Sequence, residues 1–150
     1  MRLAFDITLP LEARLLPRIR RVFFGFFEDL GVDREAADEV VLAMDEACAN
    51  VIRHAFRDSA DAGASFRLTA DLSDREAVVV VSDDGAGFEP SGLPQPSPEA
   101  LSGRGLSIIR GLMTEVDMAR GPDGSGTVLT MRKRFTPMSA RATDRESLSG

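Results

Sequence analysis

The chain has 150 residues, 43% of them hydrophobic, with a net charge of −6 and a pI near 4.8; that length holds one domain with a real core. The acidity argues against a nucleic-acid binder, which carries a basic footprint, but leaves room for a nucleotide met by backbone amides, a few arginines and Mg²⁺. One cysteine, Cys48, cannot staple the chain or build a zinc site, and no apolar run approaches the ~18 residues that span a bilayer, so a soluble, cytoplasmic protein is expected. In chain order, Leu3, Phe5, Ile7 and Leu9 alternate with more polar residues, which predicts a half-buried strand over 1–9. Residues 11–30 then carry a helical pattern through Leu15, Leu16, Ile19, Val22, Phe23, Phe26, Phe27 and Leu30. Pro17 either starts the regular helix or kinks it. Arg14, Arg18, Arg20 and Arg21 form a basic face, a solvated surface or a docking one. Gly31 is a natural stop, and Asp33 a cap for the next helix.

That next helix is centred on residues 39–56, EVVLAMDEACANVIRHAF. Val40, Val41, Met44, Ala47, Cys48, Val51, Ile52 and Ala55 recur at three- and four-residue intervals and make one apolar stripe, on which Cys48 is a small core residue. Glu46, Asn50 and His54 are spaced four apart, so a carboxylate and a carboxamide project from one side, one turn from each other. By itself this ridge reads first as an ordinary amphipathic core helix and only second as a site.

A polar connection, DSADAGAS, follows. Phe66, Leu68, Ala70 and Leu72 alternate as a strand, and after a short turn the run 77–81 reads as a second antiparallel strand buried on both faces. DDGAGF, residues 83–88, comes at once, and Gly85 and Gly87 supply backbone that can approach a ligand without a Cβ, though an ordinary turn after a strand uses such residues too. Residues 89–102 contain four prolines and little core material, so a long loop, functional or disordered, is expected. Gly103, Arg104, Gly105 and Leu106 open a helical pattern through Ile108, Ile109 and Leu112. Glycine amides at a helix start favour an anion. Two strands, 116–119 and 127–134, are joined by RGPDGSG. The domain is expected to span 1–136, with 137–150 a disordered tail. The one lysine, Lys133, follows a strand-like run and not a glycine loop, so a Walker-type phosphate loop is absent.

The three motifs DEACANVIRHAF, DDGAGF and GRGLSIIRGLMTEV, with the closing GTVLTMRKRF, stand in the order that resembles the ATPase superfamily of gyrase B, heat-shock chaperones, histidine kinases and mismatch-repair ATPases. Within it the sequence is most similar to the bacterial anti-sigma factor serine/threonine kinases, over about residues 3–135. The resemblance implies an α/β, two-layer Bergerat-type sandwich: a mixed, mainly antiparallel sheet, helices on one face, and ATP held under a mobile lid of residues 88–104. It implies that Asn50 is the Mg²⁺ ligand, a role its neutral hard oxygen suits. Glu46, one turn earlier, is then the candidate general base for an incoming hydroxyl. Asp83 matches the adenine reader and Thr127 a position near the adenine. Gly85, Gly87, Gly103, Gly105 and Leu106 would line the nucleotide, with Arg104 a phosphate or lid contact. His54 is read as structural, since a phospho-accepting histidine would be expected on a separate helix.

The function implied is an ATP-dependent protein serine/threonine kinase that sequesters a sigma factor and phosphorylates an anti-sigma factor antagonist, as a homodimer, with ATP or ADP deciding partner affinity. No direct nucleic-acid or membrane partner is expected. A nucleotide-dependent binding switch without phosphoryl transfer is the alternative. A detached sensor histidine kinase domain is a third reading, and it would need phosphorylation of His54.

Overall fold

A computed structural model describes residues 1–58, 64–83, 104–122 and 126–136. Strand β1 (Arg2–Pro10) leads through a short 3₁₀ turn (Ala13–Leu15) into helix α1 (Leu16–Leu30), followed by the long helix α2 (Arg34–Asp58). Strands β2 (Ser65–Ser73) and β3 (Glu76–Asp83), helix α3 (Arg104–Leu112), and strands β4 (Glu115–Arg120) and β5 (Thr127–Arg134) complete it. Pro17 sits in the first turn of α1, so it starts the helix and does not kink it. Gly31 ends that helix in the left-handed region at φ 71°, and the Val32 amide reaches back to the Phe27 carbonyl at 2.9 Å. Asp33 then caps α2, its carboxylate accepting from the Ala36 amide at 3.4 Å, a contact of the kind that contributes about 1 kcal/mol to a helix start.

The five strands form one sheet in the order β1-β2-β3-β5-β4, and each of its four pairings is antiparallel. Its register aligns Phe5, Ala70, Val79 and Met131 in one row and Ile7, Leu68, Val81 and Leu129 in the next. These rows meet the helices. Phe23 and Phe27 of α1 and Val40, Met44 and Cys48 of α2 are fully buried against them. Each such aromatic or large aliphatic side chain contributes roughly 2 kcal/mol of burial. The α2 helix lies in the middle, against α1 on one flank, α3 on the other and β3 beneath.

The run 77–81 departs from expectation. Ala77, Val79 and Val81 are buried, whereas Val78 and Val80 are half-buried, because the described helices cover a single face of the sheet. The open face carries cross-strand pairs instead, with Arg2 on Asp71 and Arg67 on Asp6. The basic face of α1 is also narrower than its sequence suggests. Arg14, Arg18 and Arg21 are exposed, but Arg20 donates from Nη1 to both carboxylate oxygens of Asp45 at 3.1 Å, tying α1 to α2.

Candidate functional site

The polar ridge of α2 survives folding in a particular form. Glu46, Asn50 and His54 are all half-buried, beside the buried Ala47 and Ile52. An ordinary solvated face would leave them exposed. The first turn of α3 is packed on this ridge, and what lets it approach is Gly105, itself buried. A Cβ at that position would stand 3.0 Å from Asn50 Nδ2, 3.2 Å from Asn50 Oδ1 and 3.4 Å from Glu46 Oε2. The pattern GRGL is therefore both the start of α3, which begins at Arg104, and the reason a carboxylate, a carboxamide and a helix N-terminus share one spot.

A second cluster lies at one end of the sheet, where the register places Leu9, Phe66, Asp83, Thr127 and Arg120 in a row on the helix-facing side. Asp83 ends β3 opposite Thr127, which opens β5. The residue before Thr127 is Gly126, at φ 71°, where a Cβ would fall 2.0 Å from the Asp83 carbonyl oxygen and 3.5 Å from its carboxylate. Only glycine permits this turn. Sequence reading named Thr127 and passed over Gly126 as a turn residue. The signal was available in a glycine standing directly before a strand that pairs with an acid-ended one.

Of the remaining expected site residues, Leu106 is buried in the core with Ile109. Gly85, Gly87, Gly103, the proposed lid segment and the tail 137–150 lie outside the described residues, as does the side chain of Arg104. Cys48 is buried, 3.8 Å from the Met44 sulfur. Burial, with the neighbouring Asp45 charge adding to it, pushes its thiol up to about 12, so it packs and does not react. Arg53 was also missed. Its Nη2 donates to Asn50 Oδ1 at 2.7 Å, a contact that its three-residue spacing from Asn50 could have suggested. Among the described residues no three His, Cys, Asp or Glu side chains gather as a metal cage.

The profile of the histidine kinase-like ATPase domain matches residues 9–133. The chain belongs to that family. It is 28% identical over 138 residues to the serine-protein kinase RsbW of Halalkalibacterium halodurans, covering 85% of this chain and 81% of that one. It is 29% identical over 118 residues to the anti-sigma F factor of Clostridium acetobutylicum, covering 74% and 79%. The fold matches a crystal structure of the RsbU and RsbW domains of a Mycobacterium tuberculosis protein with a TM-score of 0.64 at 20% identity, over 89% of this chain and 32% of that one. The expected superfamily and sandwich are thus met, with a sheet antiparallel at every described pairing. No helix among the described residues is long and apolar enough to cross a membrane.

Proposed function

We propose that the chain is an ATP-dependent protein serine/threonine kinase that acts as an anti-sigma factor, transferring the γ-phosphoryl group of ATP to a hydroxyl of an anti-sigma factor antagonist. The observation that carries this reading is the junction of α2 and α3, where Gly105 brings a helix N-terminus against Glu46 and Asn50. Phosphoryl transfer asks mainly for positioning and charge stabilisation, and this junction offers both. The α3 N-terminus, where a helix presents amides without intrahelical partners and the positive end of its dipole, would hold phosphate oxygens. Asn50 supplies a neutral hard oxygen of the kind Mg²⁺ takes, with the Glu46 carboxylate one turn away on the same ridge, so the donor chemistry fits an Mg²⁺ ion bound to the nucleotide. When bound, that ion would neutralise charge developing on the phosphates.

Glu46 would accept the proton of the incoming serine or threonine hydroxyl as its oxygen bonds to the γ-phosphorus and ADP leaves. Asp83 would accept a hydrogen bond from the exocyclic amine of adenine, preferring it to guanine. Thr127 and the tight Gly126 turn would shape that end of the pocket. The protein is read as cytoplasmic, holding a sigma factor in one nucleotide state and releasing it in another. It is also read as a homodimer: β1 is an edge strand backed by the half-buried Leu3, Phe5, Ile7 and Leu9, a surface suited to pairing across a two-fold axis. Light scattering should then give about twice the 16.2 kDa chain mass.

The kinase reading is tested by incubating γ-labelled ATP with a candidate antagonist, wild type beside Glu46→Ala. Label on the antagonist should fall by roughly 10²- to 10⁴-fold in the variant while ADP binding survives. Nucleotide binding without transfer to any antagonist would leave the nucleotide-dependent switch. Label appearing on His54 would revive the histidine kinase reading.

A further inference from the structure

We infer that Arg53 guards the metal-binding oxygen of Asn50, so that arginine and divalent cation compete for one atom. This rests on the reading of Asn50 as the cation's ligand. The guanidinium is seated on that ligand's own oxygen: Arg53 Nη2 donates to Asn50 Oδ1 at 2.7 Å, while its Nε leans on the Ala49 carbonyl at 3.4 Å. Asn50 is thereby held from two sides, by Arg53 on the exposed flank and by Gly105 on the buried one.

A carboxamide oxygen has two acceptor directions, so the contact alone would not exclude a second ligand. Charge does. Mg²⁺ binds oxygen at about 2.1 Å and demands near-octahedral geometry. A guanidinium nitrogen and the ion on the same oxygen would therefore stand less than about 5 Å apart, where repulsion between the two cations favours one of them at a time. Arg53 is exposed and long, which lets it turn away with little loss of packing. Entry of the cation with its nucleotide displaces the arginine, and departure lets it return. The Asn50 side chain is thus kept in place in both conditions, and the site needs more Mg²⁺ for half-saturation than a bare carboxamide would.

The experiment titrates Mg²⁺ against a fixed concentration of fluorescent ADP, reading bound nucleotide by anisotropy, in wild type, Arg53→Met, Asn50→Ala and the double variant, with circular dichroism confirming the fold of each. Arg53→Met, which keeps the stem and removes the donors, should lower the Mg²⁺ concentration at half-saturation by roughly two- to fivefold, the range an exposed charged contact supports. The shift should vanish in the Asn50→Ala background. An unchanged or raised Mg²⁺ requirement in Arg53→Met, or an equal shift with and without Asn50, overturns the inference and makes Arg53 a general charge near the phosphates. If Asn50→Ala alone leaves the Mg²⁺ requirement where it is, the assignment of Asn50 as ligand fails, and this inference with it.

Discussion

The two ends of the helix-facing side of the sheet are built on opposite plans. At one end the row Leu3, Leu72, Ala77 closes on Lys133. That lysine donates to the last carbonyl of α3, Leu112, at 2.6 Å and pairs with Glu39 of α2. Charge is answered there by the chain's own charge, and a cation at a helix C-terminus is stabilising. At the other end the row Leu9, Phe66 runs out into Asp83 and Thr127, and the close approaches are made by glycine, Gly126 on the Asp83 backbone. The same device, Gly105 on Glu46 and Asn50, brings the opposite end of α3 onto α2. One end spends its polar groups on holding α2, α3 and β5 together; the other keeps side-chain volume out where Gly126 meets Asp83 and Gly105 meets Glu46 and Asn50.

If that contrast is right, the two glycines should fail differently. Gly126→Ala has the largest expected effect, at least about 2 kcal/mol off the unfolding free energy in a urea titration, because a positive φ and a backbone clash act together. Gly105→Ala has no such backbone problem, and alanine favours the helix by about 1 kcal/mol. Its Cβ instead pushes on Asn50, so nucleotide affinity measured by calorimetry should drop about tenfold or more with stability nearly unchanged. Equal stability losses in both would break the comparison.

Lys133→Met should cost about 1 kcal/mol of stability by leaving Glu39 and the Leu112 carbonyl without their partner, with a smaller loss of nucleotide affinity. A larger effect on affinity than on stability would mean the sealed end also sets the site.

The smallest effect is expected on the open face. The hydrogen bonds from Arg67 and Arg2 hold the Asp6 and Asp71 carboxyls below their usual 3.8. A carboxylate with a lowered folded pKa stabilises fully above its unfolded value, and the contribution is lost as pH falls through the folded one. Asp71→Asn should therefore lower the melting temperature slightly at neutral pH, and the gap to wild type should close well below pH 3.8. A gap that persists in acid would show that the pair acts through packing.

Periodicity made the strands and helices legible. The stripe on α2 and the alternation of β1 and β2 encode which face each element buries, since side-chain direction follows the backbone repeat. The spacing of Glu46, Asn50 and His54 predicted a shared ridge, and the half-burial of all three agrees with it. The run 77–81 misled, because a strand of consecutive valines reads the same whether one or both faces are covered. Arg20 misled for a related reason: a charge on a helix face is solvated until a neighbouring helix brings an Asp45 to it.

By itself, then, the sequence determined the order of elements, the family motifs, and which residues share a turn of helix, all properties of local spacing. Only the tertiary structure decided that Gly105 meets Asn50 and Glu46, that Gly126 meets Asp83, and that Lys133 closes on Glu39 and Leu112. Those contacts join residues tens of positions apart, and their distances are fixed by sheet register and helix packing, which no local repeat encodes.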